Sequence, residues 1–146
     1  MSLIDAVRDR LHAEVPALKD RVELIAALAA LVEQGGLPQR EVTAYVVPLG
    51  FDDRGGDSMG HLHTQMLSES IGVVLCVKAL GDAAAKRALP TIDTLKDGVI
   101  SALAGWGPDT VSGVLRATRG RLLAVANGLV TYQIDFAVLD QLRIAR

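Results

Sequence analysis

The sequence predicts an α+β fold: a mostly antiparallel sheet of about four to five strands, with a long helix and N-terminal helices packed on it. Three observations carry this. In Ser68–Leu80, Glu69, Ile71, Val73, Leu75, Val77 and Ala79 alternate with Ser68, Ser70, Gly72, Val74, Cys76 and Lys78. A strand sends alternate side chains to opposite faces, so one face is an apolar stripe and the other is mixed. From Asp82, the residues Ala85, Leu89, Ile92, Leu95, Val99, Ala102 or Leu103, and Trp106 recur in steps of three and four, the stripe of a helix laid against a sheet. Asn127-Gly128 then sits before an alternating run, and both central positions of a type I′ hairpin turn need positive φ.

In chain order, Ser2 and Asp5 read as an N-cap and its partner three residues on. Leu3, Ile4, Val7, Leu11 and Val15 follow at helical spacing until Pro16 stops the helix. Arg21–Leu24 reads as a short extended piece, and the Ala- and Leu-rich Ile25–Gln34 as a helix ended by Gly35-Gly36, with Pro38 beyond. Val42–Leu49 is a strand whose Pro48 belongs at its end or on an edge. Gly50 to about Gln65 holds four glycines and three aspartates and reads as a long polar loop that orders only on assembly, because few apolar anchors offset the entropy of fixing it. Gly81-Asp82 ends the central strand and caps the long helix. Pro90 either follows a short first turn ending near Leu89 or kinks the helix, and Gly105-Trp106-Gly107-Pro108 ends it. Three strands then close the chain. Val114–Thr118 and Arg121–Ala126 flank Arg119-Gly120, either a tight turn or the middle of one long bent strand. Val130, Tyr132, Ile134, Phe136 and Val138 form the apolar face of the last strand, opposite Thr131, Gln133, Asp135 and Ala137.

The 146 residues suffice for one domain, 1–146, with a proper core. Half are apolar and only 3% aromatic, so Ala, Val, Leu and Ile must build that core. A net charge of −2 leaves no basic excess for gripping phosphate backbones. No run reaches the ~18 apolar residues of a membrane span, and the charged N-terminus is no signal peptide. The expectation is a soluble protein made in a cytoplasm. Cys76, the one cysteine, lies mid-strand and reads as a small buried hydrophobe.

Chemistry-bearing groups are sparse. His61 and His63, with Asp52, Asp53 and Asp57, come nearest to a metal cluster. Histidines at i and i+2 on a loop match no established metal-site spacing, and no Cys or Glu stands at a complementary distance, so a solvated loop is expected. Gly113–Gly120 matches neither phosphate-loop pattern. Arg116, Arg119 and Arg121 make either a small basic patch or a solvated strand face paired with neighbouring acids, and the acidic net charge favours the second. Ser68, Ser70 and Ser101 lie in no nucleophile-elbow context, and Trp106 reads as a core or hinge anchor. No catalytic, cofactor-binding or metal-binding residue is expected, no cofactor, and no enzyme.

Several segments together resemble a known family. They are the opening IDAVRDRLHAEVPAL helix, the LPQ–VTAYVVPLG strand with a polar stretch after it, and IGVVLCVKA. They continue with the ISALAGWGP helix end and RGRLLAVANGLVTYQIDFAVLDQLR. In this order, over nearly the whole chain, they are similar to the tail terminator (tail completion) proteins of tailed phages and prophages. The resemblance implies a structural virion protein that assembles as a ring homo-oligomer, a hexamer, to cap the tail tube and end its polymerisation. Its implied partners are the tail tube protein and the head–tail connector protein, with DNA passing through the ring without sequence-specific binding and no membrane. Its implied place is the tail or neck of the virion, after assembly in the host cytoplasm. Two other classes remain: another neck or head–tail joining component, and a small-molecule-binding or enzymatic α+β domain using the cleft between long helix and sheet.

Overall fold

The computed structural model describes residues 2–33, 41–78, 88–126 and 128–146. The expected stops at Gly35-Gly36 and Gly81-Asp82, the start of the long helix at Asp82, and Asn127 lie outside these residues.

Helix α1 (Leu3–Glu14) opens as its sequence dictates. Ser2 Oγ accepts the Asp5 backbone N–H at 3.2 Å and donates to Asp5 Oδ2 at 2.8 Å. It closes at Val15, whose N–H reaches the Leu11 carbonyl, and Pro16 begins a 3₁₀ turn (Pro16–Leu18). Strand β1 (Val22–Leu24) and helix α2 (Ile25–Glu33) follow. Strands β2 (Val42–Met59), β3 (Leu62–Lys78), β4 (Arg116–Ala126) and β5 (Leu129–Ala145) complete a five-stranded sheet of order β1-β2-β3-β5-β4. Only the β1–β2 pair is parallel. The expected α+β class and mostly antiparallel sheet therefore hold.

Helix α3 (Ala88–Leu103) buries Ile92, Leu95, Val99 and Leu103, the stripe its spacing predicts. Pro90 is the third residue of the helix as described, which runs on through it to Leu103. This stripe and Leu3, Val7 and Leu11 of α1 pack on one sheet face, against Ile71, Val73, Leu75, Val130, Ile134 and Phe136 among others. The second face is covered as well: Tyr45, Val47, Val74 and Cys76 form a smaller cluster with Leu28 of α2. The β-branched Val74 and the buried Cys76 on the mixed face of the central strand are explained by that second cover.

Two expectations are corrected. Gly50–Gln65 is not a loop. It is the outer half of a long β2–β3 hairpin, with partners from Gly50↔Ser70 to Met59↔Leu62 and a turn at Gly60-His61. Its composition misleads because a strand with no core to cover needs no apolar alternation, only ladder hydrogen bonds. Here glycine shapes the hairpin: Gly55 (φ +100°) lies in a bulge between Asp53 and Gly56, and Gly60 (φ +62°) turns the tip. The second correction concerns the strand count: at Arg119-Gly120 the long-strand alternative holds and the turn does not. β4 is one strand with irregularities between Ala117 and Arg119 and between Leu122 and Ala124. Two strands rather than three therefore close the chain. The Ala126↔Leu129 pair closes their hairpin, with Gly128 at φ +71°.

Candidate functional site

Beyond the helices, β2, β3 and β5 continue together as a three-stranded arm. β3 pairs with β5 from Lys78↔Leu129 to Leu62↔Ala145 without a register shift, so body and arm share two uninterrupted strands. β2 is exposed from Pro48 to Met59. Hydrogen bonds rather than packing organise one arm face. Asp53 Oδ1 accepts the Gly55 N–H at 2.9 Å and the Gln65 Nε2–H at 2.9 Å. Gln65 Oε1 lies 3.1 Å from His63 Nε2, and Ser58 Oγ 2.5 Å from His63 Nδ1. Because the Gln65 nitrogen already donates to Asp53, its oxygen faces the imidazole. In the neutral ring that arrangement puts the N–H on Nε2, facing the Gln65 oxygen, and leaves Nδ1 to accept from Ser58. The Gly55 N–H, and then the Gln65 amide, hold the Asp53 carboxyl below its ordinary range.

This chain of bonds uses both His63 nitrogens, and His61 is exposed with its carbonyl bonded to the Arg146 N–H. Among the described residues no cluster of three or more His, Cys, Asp or Glu could hold a metal ion. Cys76 is buried, and burial pushes its thiol up, away from the reactive thiolate.

The cleft between long helix and sheet is an open groove lined by Leu89, Pro90, Ile92, Asp93, Lys96, Leu122 and Tyr132. Its charged groups are spent on one another, with Lys96 Nζ 2.9 Å from Asp93 Oδ1. The groove offers apolar surface and few polar groups to orient a small molecule.

Arg116, Arg119 and Arg121 pair in register with Ala137, Asp135 and Gln133, so all three belong to the sheet face turned away from α1 and α3. They form no ion pair among the described residues. Among the described residues the expected pairing with neighbouring acids is absent, and the Asp135 carboxylate takes the Gln133 amide at 2.6 Å. Arg121 Nε is buried and bonded to nothing in these residues.

Sequence reasoning missed the exposed apolar side chains. Phe51 is 69% and Met59 78% exposed, and Leu122, Leu123 and Val125 of β4 are about half exposed. In β4 every residue except the half-buried Arg121 is exposed. The signal was present: Phe51 and Met59 are isolated large hydrophobes in a polar stretch, and Leu122-Leu123 breaks strand alternation.

Three comparisons bear on these surfaces. A family model described as phage tail terminator protein matches residues 3–146. No curated protein gives a significant match. A solved chain from the virion of a native gene transfer agent (GTA) particle superposes with a TM-score of 0.52 at 18% identity, covering 96% of this chain and 95% of that one. At that identity the likeness is one of fold.

Proposed function

Since the chain belongs to the phage tail terminator family and is a structural protein of a phage-type tail, we propose that it caps the tail tube as a ring. Capping ends tube polymerisation, and the free face of the ring meets the head connector. The chain acts as a single domain, as a homo-oligomer of six, and catalyses no reaction. DNA passes through the ring without sequence-specific contacts. Assembly takes place in the bacterial host cytoplasm.

The observation that carries this reading is the arm with its flanking strand edges. Ten residues of β2, from Gly50 to Met59, and nearly all of β4 bury almost nothing of their own. A folded chain that keeps Phe51, Met59, Leu122, Leu123 and Val125 in water has surface suited to other protein. The non-enzymatic reading is supported by the bonded nitrogens of His63, the buried thiol of Cys76 and the mutually paired charges of the groove.

Negative-stain microscopy of the purified protein tests the ring directly, and lysates from phage or prophage lacking the protein test the cap. Rings, together with tails of abnormal length in the deletion, are expected. Tails of normal length that fail to join heads would move the protein to head–tail joining. Dispersed monomers and unaltered virions would sink the reading.

A further inference from the structure

We infer that the ring closes edge to edge, with the outer strand of one subunit's arm, Gly50–Met59, lying antiparallel along β4 of the next. This rests on the ring reading above and names the surfaces that make the ring.

Neither edge has a neighbouring strand among the described residues. β1 pairs with β2 no further than Leu24↔Val46, so the outer edge of Gly50–Met59 has no neighbour among the described residues. β4 is the opposite edge of the sheet. Each edge spans roughly 35 Å at strand rise. An unpaired edge of that length carries a row of unused backbone donors and acceptors and invites another strand. The bulge between Asp53 and Gly56 confines backbone pairing to the stretches on either side of it.

Direction and side chains agree with the match. Each neighbouring pair from β2 through β3 and β5 to β4 is antiparallel, so β2 and β4 run opposite ways in one subunit. β4 lies level with Val42–Gly50 rather than with the arm, so subunits that stand the same way up, with their strands steeply inclined to the ring axis, present the arm of one antiparallel to β4 of the next. Joining them continues one sheet across the boundary, and each sheet face meets its own kind. On the face away from α1 and α3, the register puts Asp52 and Asp57 opposite Ser68 and Thr64. Arg116, Arg119 and Arg121 share that face on β4. On the other face lies Phe51, opposite Glu69, and there too lie Leu122 and Val125, opposite Tyr132 and Val130. Carboxylates thus meet arginines that have no ion pair among the described residues of their own subunit, and exposed apolar groups meet exposed apolar groups. The two surfaces differ, so the contact is head-to-tail, the kind that builds a closed ring rather than a two-fold dimer.

Engineered cysteines test it, because the native Cys76 is buried. Phe51→Cys and Val125→Cys in one chain, treated with a short bismaleimide, should give a ladder of linked multimers. The two single variants should link only when mixed, and then only as mixed dimers. Asp52→Arg with Asp57→Arg should weaken self-association at least about tenfold, and adding Arg119→Asp with Arg121→Asp should restore it. These side chains lie outside the core, so the thermal midpoint of the unassembled subunit, read at concentrations too low for rings, should not move. Rings that neither cross-link between these positions nor respond to the charge exchange would overturn the contact and leave the ring reading standing. Failure to form rings at any concentration up to about 1 mM, where even weak contacts are populated, would overturn both.

Discussion

The guanidinium carbon of Arg10 lies 5.2 Å from the centre of the Trp106 ring, and Arg10 Nε donates to the Ala102 carbonyl at 3.0 Å. One side chain of α1 thereby takes hold of the end of α3 and of the tryptophan after it. A cation over an indole face contributes about 0.5–1 kcal/mol at partly exposed sites, and the hydrogen bond adds about 0.5–1.5 kcal/mol. Arg10→Ala should cost about 1–2 kcal/mol in urea unfolding. Arg10→Lys should recover only part of that, since lysine lacks the fork that serves ring and carbonyl together. Equal stability of all three proteins would show that Trp106 is held by packing alone.

Leu95 is central to the stripe that α3 lays on the sheet, and it is 3% exposed. Leu95→Ala should destabilise by about 2–5 kcal/mol through lost burial and the cavity left behind. A change within about 0.5 kcal/mol, typical of surface sites, would remove Leu95 from the core.

A side chain at Gly56 has nowhere to go: a Cβ there would meet the Thr64 carbonyl oxygen and the Gln65 Cα on β3. Gly56→Ala should part β2 from β3 in the outer arm while leaving the body intact. Amide exchange should accelerate for the arm beyond the bulge, with no fall in the protection of β3 around Val73 and Leu75. Global unfolding in this variant would mean that the arm is part of the cooperative unit.

The Asp53 carboxylate, held below its ordinary value of 3.8 by the Gly55 N–H and the Gln65 amide, links arm order to pH. Because its folded pKa is depressed, its contribution is complete above the ordinary value and fades as pH falls through the lowered one. The Gly55 amide resonance, followed from pH 6 downward, should shift with a midpoint below that of a free aspartate. In Asp53→Asn this step should vanish while the neutral Oδ1 still accepts from Gly55. A midpoint at or above the ordinary value would contradict the hydrogen bonding described.

The body of this fold was legible because burial writes a pattern. The alternation in Ile71–Val77, the three-and-four spacing from Ile92 to Leu103, the Ser2 cap and the positive-φ Gly128 are local consequences of a core, a helix end or a turn. The arm was illegible for the same reason. Strand pairing from Gly50 to Met59 is dictated by β3 alongside it and by a few polar contacts such as Asp53 to Gln65, not by a buried face. Without burial there is no alternation, and glycines that shape a bulge and a tip turn look like a dissolved loop. The Arg116, Arg119 and Arg121 face was seen, but among the described residues its pairing with acids is absent. Apolar residues outside the core, Phe51 and Met59 above all, were readable only as exceptions to their surroundings.

The uninterrupted pairing of β3 with β5 has a mechanical consequence. Seventeen rungs with no slip make the arm a cantilever whose root is clamped under α1 and α3. Compliance is confined to β2, the only arm strand with bulges against its neighbour. A load applied near Gly60 is therefore not absorbed by a hinge. It arrives at the body as torque on the strands that carry Ile71, Val73, Ile134 and Phe136, so the helices resting on them sense what touches the tip.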